Sequence, residues 1–201
     1  MTIAAPPVEP SLSPAPMGRA WAVLIAGVIG LAASLTLTVE KIRLLTDPGY
    51  VPSCNLNPVL SCGPVMATPQ ASVFGFPNPL MGIVAFTVVA VTGVLAVAKI
   101  EVPRWYWVGL TLGTLVGAGF VQWLIFQSLY RIGALCPYCM VVWAVTISLL
   151  VVFAGFVRRP DAQRNILQHL HRWRWTLVAL WFIALLLLIF LRFQDYWLTL
   201  L

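Results

Sequence analysis

Four cysteines are the residues of this chain whose type and spacing could support redox chemistry. Cys136 and Cys139 bracket a Cys-Pro-Tyr-Cys sequence, while seven residues separate Cys54 from Cys62. Two cysteines three positions apart at the start of a helix share one face, and the proline between them suits the first helical position. The partial positive charge at a helix N-terminus lowers the pKa of a thiol. Because exchange requires a thiolate, the motif predicts a redox-active dithiol.

The composition indicates that these cysteines belong to an integral membrane protein. Hydrophobic residues make up 61% of the chain and charged residues 9%, whereas a soluble domain carries about 25% charged residues. A helix that crosses the hydrocarbon core needs about 20 apolar residues. We therefore predict an all-α fold with five transmembrane helices, over residues 20–39, 79–98, 105–130, 132–157 and 175–191. Trp105, Tyr106 and Trp107 predict an aromatic belt at the inner membrane surface.

The start of the chain does not extend the predicted membrane domain. Residues 1–17 contain five prolines and almost no charge, which predicts a disordered cytoplasmic tail. Arg19 followed by an apolar run is superficially similar to a signal peptide, but the run is too long and residues 35–38 form a poor cleavage site. We therefore predict a retained first helix and a membrane domain over residues 18–201.

The basic residues between the apolar stretches predict the orientation of the helices. Cytoplasmic segments of membrane proteins carry an excess of Lys and Arg. If the N-terminus is cytoplasmic, the inside positions are Arg19, Lys99, Arg104, Arg158, Arg159, Arg164, Arg172 and Arg174, and the outside positions are Lys41, Arg43, Arg131 and Arg192. Residues 40–78 then form a long outer loop, and all four cysteines face the compartment where disulfides persist. The net charge of +6 reflects this orientation rather than nucleic-acid binding, which favours basic patches with interleaved aromatic residues.

The positions of the four cysteines are also compatible with two simpler interpretations. Cys54 and Cys62 could form one structural disulfide that braces the outer loop. All four cysteines could instead bind zinc or an iron–sulfur cluster. The spacing disfavours a metal because zinc ribbons use two short pairs, and His169 and His171 are predicted to lie on the opposite side of the membrane. We therefore predict no metal site.

Three motifs follow one another in a recognisable order. They are residues 54–66 (CNLNPVLSCGPVM), residues 72–79 (SVFGFPNP) and residues 136–139 (CPYC), within a region of roughly 20–157. This order resembles the vitamin K epoxide reductase family, in particular its bacterial members. The resemblance implies a bundle in which four of the five helices surround a quinone, menaquinone or ubiquinone, near the outer face. A loop and a short helix would cap that pocket.

The resemblance also implies a role for each cysteine. Cys136 and Cys139 would be the active-site pair, with the Cys139 thiolate in contact with the quinone ring. Cys54 and Cys62 would be the shuttle pair, in which Cys54 reacts with a partner thiol and Cys62 exchanges with Cys136. In bacterial relatives the partner is a DsbA-like protein of thioredoxin fold. Many relatives carry such a domain after the fifth helix, whereas this chain ends at Leu201, so we expect a separate partner outside the bacterial cell membrane.

Three further positions would contribute to the quinone pocket by resemblance. Thr68 takes the place of a hydroxyl residue, commonly Ser, although a turn hydroxyl bonded to the backbone explains it equally well. Asn78 matches an Asn that can bond a quinone oxygen, and it could equally cap a helix. Trp143 stands where some relatives have Tyr, so we expect it to line the pocket. Phe74 and Gly75 also fit a tight cap over the pocket, because glycine permits unusual backbone angles, although plain loop packing explains them nearly as well.

These features predict a membrane thiol:quinone oxidoreductase that passes electrons through both cysteine pairs. The four-helix quinone-linked thiol oxidases of bacteria share this chemistry, but their Cys-x-x-Cys pair precedes the wider pair. A quinone or quinone-epoxide reductase with a different thiol donor is an alternative function. A transporter or assembly protein with structural disulfides is another, although the five stretches contain no charged residue and no internal repeat.

Overall fold

The computed structural model describes residues 16–47, 49–157 and 173–198. Five helices in this part of the chain are long and apolar enough to cross a membrane. They are α1 (Met17–Thr46), α3 (Asn78–Val97), α4 (Arg104–Phe126), α5 (Pro137–Val157) and α6 (Arg174–Arg192). The shorter elements are α2 (Cys62–Ala67), a 3-10 turn (Pro69–Ser72), a π-helical segment (Gln127–Ile132) that extends α4, and α7 (Gln194–Leu198). The prediction of an all-α fold with five membrane helices is confirmed.

Four of the long helices form the bundle. Helix α1 packs against α3 and α5, α4 packs against α5, and α6 lies against the outside of α5. The contact between α1 and α3 depends on glycines: a Cβ atom on Gly93 would lie 2.5 Å from the Cα atom of Leu24, and one on Gly27 would lie 2.6 Å from the nitrogen of Ala90. Small residues of this kind allow membrane helices to approach closely and gain dispersion contacts along their length.

The three aromatic residues of the predicted belt differ in their exposure. Trp105 is exposed, but Trp107 is buried and its ring stacks on Phe156 of α5 with centroids 4.3 Å apart. The hydroxyl of Tyr106 lies 2.6 Å from the hydroxyl of the buried Thr92 in α3. Successive helical residues point about 100° apart because a turn contains about 3.6 residues. Three consecutive aromatic side chains therefore cannot all face the same surface.

Two helix boundaries differ from the predicted ones. Helix α1 continues to Thr46 rather than ending near residue 39. Its 30 residues span about 45 Å, which exceeds the hydrocarbon core of about 30 Å, so this helix either tilts or extends beyond that core. Helix α5 begins at Pro137 rather than at residue 132, because Gly133 adopts a left-handed φ of 72° that ends the preceding helical segment. The predicted tail up to residue 15 and the basic segment 158–172, with both histidines, lie outside the described residues.

One end of the bundle, which we call the cysteine end, gathers all four cysteines. The last turns of α1, the start of α3, the end of α4 and the start of α5 meet there with α2 and the 3-10 turn. Helix α6 also ends on this side, since Nε of Arg192 donates a hydrogen bond of 2.9 Å to the carbonyl of Leu129. The cysteines and the end of the last membrane helix therefore share one side, as predicted.

Candidate thiol–disulfide site

A short backbone pairing aligns two cysteines from distant parts of the chain. The N–H of Leu135 donates to the carbonyl of Val59 at 2.8 Å, and the N–H of Ser61 donates to the carbonyl of Leu135 at 2.9 Å. These bonds form a parallel bridge between the outer loop and the segment that precedes α5. Cys62 directly follows Ser61 on the loop, and Cys136 directly follows Leu135 before the helix. The bridge therefore sets the register in which these two side chains meet.

The sulfur atoms are arranged for thiol–disulfide exchange. Cys54 and Cys62 form a disulfide, whereas Cys136 and Cys139 are free thiols. The Sγ atoms of Cys62 and Cys136 lie 3.1 Å apart, against about 2.0 Å in a disulfide bond. An attacking thiolate must approach one sulfur of a disulfide, so a displacement of about 1 Å separates this contact from a bond. A structural disulfide in the loop would not require a second cysteine pair at this distance.

The start of α5 sets the ionisation of Cys136. The carbonyl of Cys136 accepts a hydrogen bond of 3.0 Å from the N–H of Met140, which places Cys136 immediately before the first residue of the helix. The thiol of Cys139 hydrogen-bonds to the Cys136 sulfur and lowers the pKa of Cys136, with help from the N–H groups of Cys139 and Tyr138. Burial opposes this shift but does not overcome it. A lower pKa makes Cys136 a better leaving group in exchange reactions.

Asn55 ties the two ends of the disulfide loop together. Its Oδ1 atom accepts hydrogen bonds of 2.9 Å from the hydroxyl of Ser61 and from the N–H of Gly63. A Cβ atom on Gly63 would lie 3.1 Å from Nδ2 of Asn55, so the glycine permits a close approach. Asn55 follows Cys54, and Gly63 follows Cys62. Sequence reasoning did not assign Asn55 a role, and the position of these two residues directly after the two loop cysteines was the available signal.

Three of the four cysteine side chains are shielded from solvent in this conformation. Cys54 is only 4% exposed, and it packs with Cys62, Cys136, Leu37 and Met66 in one buried cluster. The family resemblance implies that Cys54 reacts with a partner protein, but a protein thiol cannot reach a sulfur that is buried to this degree. The outer loop must therefore move before such a reaction occurs.

The two polar residues predicted to bind quinone are engaged within the cap. The hydroxyl of Thr68 donates to the carbonyl of Val65 at 2.8 Å. Nδ2 of Asn78 donates to the carbonyl of Gln70 at 2.7 Å, and its Oδ1 accepts from the N–H of Val73 at 3.0 Å. Both side chains thus stabilise the turns between α2 and α3. A contact of either residue with quinone stays a prediction.

The aromatic residues predicted for the pocket occupy two different environments. Trp143 is almost completely buried, in the cluster against which Cys139 packs. Phe74 is 56% exposed, and its ring centroid lies 6.2 Å from that of Phe120 in α4. Phe120 in turn stacks on Trp123 at 5.7 Å. Phe120 and Trp123 therefore extend the aromatic contacts of Phe74 along α4. The sequence pattern does not distinguish these two residues from the other apolar residues of that helix.

Comparison with known proteins supports the chemistry that this geometry suggests. A search of the curated proteins finds no match to the chain. A model of the vitamin K epoxide reductase family matches residues 21–154, which make up more than half of the chain and include all four cysteines. The family indicates a membrane oxidoreductase of the thiol/quinone type. This multi-pass membrane protein therefore belongs to the vitamin K epoxide reductase family, as the order of its cysteine motifs predicts.

Proposed function

We propose that this protein oxidises the dithiol of a separate DsbA-like protein outside the bacterial cell membrane and transfers the two electrons to a quinone. Membership of the family supports thiol:quinone oxidoreduction in general. The observation that carries the proposal is the 3.1 Å contact between Cys62 of the loop disulfide and Cys136 of the free dithiol. Such a contact allows electrons to pass from one pair to the other by disulfide exchange.

The surroundings of Cys139 suit a quinone. A bound quinone accepts two electrons and two protons, and the protein supplies its binding and orientation. Cys139 is half-buried beside the cluster that contains Trp143, and the exposed ring of Phe74 leans on Phe120 at the same end of the bundle. Pockets for such ligands combine apolar walls with a few polar groups. Asn78 retains one N–H that no bond described above uses, and this donor could face a quinone oxygen.

The proposed electron route begins at the shuttle pair. A partner thiolate attacks Cys54, which forms a mixed disulfide and releases the Cys62 thiolate. The second partner thiol then resolves the mixed disulfide, so the partner leaves oxidised and both shuttle cysteines are reduced.

The electrons then move to the active-site pair. Cys62 attacks Cys136 of an oxidised Cys136–Cys139 disulfide and releases the Cys139 thiolate. Cys54 attacks Cys62, restores the loop disulfide and displaces Cys136, whose lowered pKa favours its departure. The products are a loop disulfide and a free Cys136–Cys139 dithiol, which is the redox state of this structure. That dithiol yields two electrons and two protons when it returns to the disulfide.

A single-turnover experiment tests the quinone end of this route. Detergent-purified protein is treated with a mild reductant, freed of it, and mixed with menaquinone or ubiquinone analogues while quinone absorbance is recorded. We expect one quinol for each dithiol that the reductant has produced, and therefore at most two per protein chain, because each dithiol carries two electrons. The variant Cys139→Ala should form none. A wild-type protein that reduces no quinone would contradict the proposal.

The variant Cys54→Ala is the matched control for the partner end. It retains Cys136 and Cys139, so we expect it to reduce quinone in a single turnover. It should fail in steady state with a reduced thioredoxin-fold protein as the electron donor, because the partner has lost the sulfur it attacks. Equal steady-state rates for this variant and the wild type would exclude Cys54 from the route.

A further inference from the structure

Two adjacent charged residues at the cysteine end of α1 are buried. Glu40 is 5% exposed and Lys41 is 7% exposed. Burial of a charged group is costly unless hydrogen bonds replace the water that it loses. The partners of these two side chains therefore define what the end of α1 holds in place.

Glu40 binds the segment that leads into the shuttle disulfide. One carboxylate oxygen, Oε2, accepts hydrogen bonds from the hydroxyl of Tyr50 at 2.7 Å and from the N–H of Ser53 at 3.3 Å. The other oxygen, Oε1, accepts from the hydroxyl of Ser53 at 2.6 Å. Arg43, one turn along the helix, lies over the ring of Tyr50 at 5.8 Å. Ser53 is the residue directly before Cys54, so this carboxylate restrains the first cysteine of the loop.

Lys41 binds the helix that carries the second cysteine. Its ammonium group donates to the carbonyl of Met66 near the end of α2. Cys62 is the first residue of α2, and the helix has six residues. A cation near helix C-terminal carbonyls is also favoured electrostatically. A displacement of Lys41 would therefore shift the short helix and the Cys62 sulfur together.

We propose that Glu40 and Lys41 are positioning residues that hold the shuttle disulfide against Cys136. Leu37, Glu40 and Lys41 lie three and four positions apart, so they share one face of α1. Leu37 packs in the cluster that contains the three buried cysteines, and the two charged residues secure the chain on either side of the disulfide. The hydrogen bonds of both charged residues go to the chain beside the cysteines rather than to a reacting sulfur. Each acts through the backbone segment that it binds.

The role of this pair in electron transfer rests on the proposed function, but its geometric effect can be measured without quinone or partner. In a protein with Cys54→Ala and Cys139→Ala, the remaining cysteines are Cys62 and Cys136. In glutathione buffers these two thiols lose two electrons and form one disulfide, while one glutathione disulfide becomes two glutathione molecules. The equilibrium ratio, read by mass spectrometry after thiol blocking, reports the effective concentration of one sulfur at the other.

We expect Glu40→Gln and Lys41→Met, each added to this two-cysteine protein, to lower that effective concentration at least fivefold. Lys41→Arg should restore it to within twofold of the parent, because a guanidinium group can also donate to a carbonyl. The matched controls are Glu101→Gln and Lys99→Met, which remove exposed charges at the opposite end of the bundle. Both controls should behave as the parent does.

An effective concentration within twofold of the parent in both Glu40→Gln and Lys41→Met would overturn the proposal. If Glu40→Gln does not fold, Tyr50→Phe combined with Ser53→Ala removes both hydroxyl donors to this carboxylate from the loop side, and an unchanged ratio in that variant has the same consequence. The assay contains neither quinone nor partner. A wild-type protein that fails to reduce quinone would therefore refute the proposed function, while a fall in this ratio would still support the positioning role.

Discussion

Asn78 offers a direct test of how the cap is held, because its side chain bonds the backbone of the turn before α3. Its amide donates to the carbonyl of Gln70 and accepts from the N–H of Val73. The variant Asn78→Ala removes both bonds. Each net hydrogen bond is worth about 0.5–1.5 kcal/mol, and the bond to Val73 is exposed. We therefore expect the closed turn to lose about 1–2 kcal/mol, which raises its open population by about 5- to 30-fold.

Amide hydrogen exchange in detergent measures this change at the bond concerned. Local opening exposes the N–H of Val73, and the alanine variant also lacks the oxygen that accepts from it, so its exchange rate should rise by at least this factor in Asn78→Ala. The variant Asn78→Asp keeps an oxygen that can accept from Val73 and loses the donor to Gln70. It should therefore preserve more of the protection at Val73 than the alanine variant does.

Asn57 supplies a matched control in another turn of the outer loop. Its Oδ1 atom accepts from the N–H groups of Val59 at 3.0 Å and Leu60 at 2.7 Å. Asn57→Ala should therefore accelerate exchange at those two amides and leave Val73 unchanged. The reasoning would be refuted if Val73 kept its protection in Asn78→Ala, or if both variants loosened both turns equally.

Two further variants test the ionisation of the dithiol and the packing of the bundle. The Cys139 thiol lowers the pKa of Cys136, and the hydroxyl of a serine at position 139 can still donate to that sulfur, whereas alanine cannot. When Cys136 attacks the loop disulfide and maleimide traps the released Cys54, the rate should therefore reach half its maximum at higher pH in Cys139→Ala than in Cys139→Ser. Coincident pH profiles of the two variants would contradict this prediction. Gly93→Val places a Cβ atom 2.5 Å from a Cα atom of α1 and should lower the free energy of unfolding by about 1–3 kcal/mol. In the control Gly109→Val, the added Cβ atom meets no atom within 4 Å. Equal melting temperatures of the two variants in detergent would exclude this packing effect.

The helical architecture could be predicted from the sequence because hydrophobic length is a local property. An apolar run of about 20 residues needs no knowledge of its neighbours to span a membrane. The ends of the helices were harder to place. Glu40 and Lys41 are charged, so they were assigned to the outer loop, whereas α1 continues through them to Thr46. Their burial depends on the loop segments that pack against them.

The candidate site was predicted in part. Residue types and order pointed to two cysteine pairs, and the family they resemble is confirmed. The sequence alone does not distinguish quinone contact from backbone bonding for Asn78 and Thr68, and the structure places both in backbone bonds of the cap. Asn55 and Glu40 were missed, because their hydrogen-bond partners are defined by the folded loop rather than by a sequence motif.

The sequence by itself determined that this protein is a five-helix membrane protein with two cysteine pairs on one side of the bundle. Composition and spacing are sufficient for that conclusion, because burial in lipid requires continuous apolar helices. Only the tertiary structure decided that Cys62 meets Cys136. Those residues are 74 positions apart, and their contact depends on a parallel backbone bridge and on the close packing of α1 with its neighbours. Such long-range pairing leaves no periodic signal in the chain, since it results from the packing of elements that each form locally.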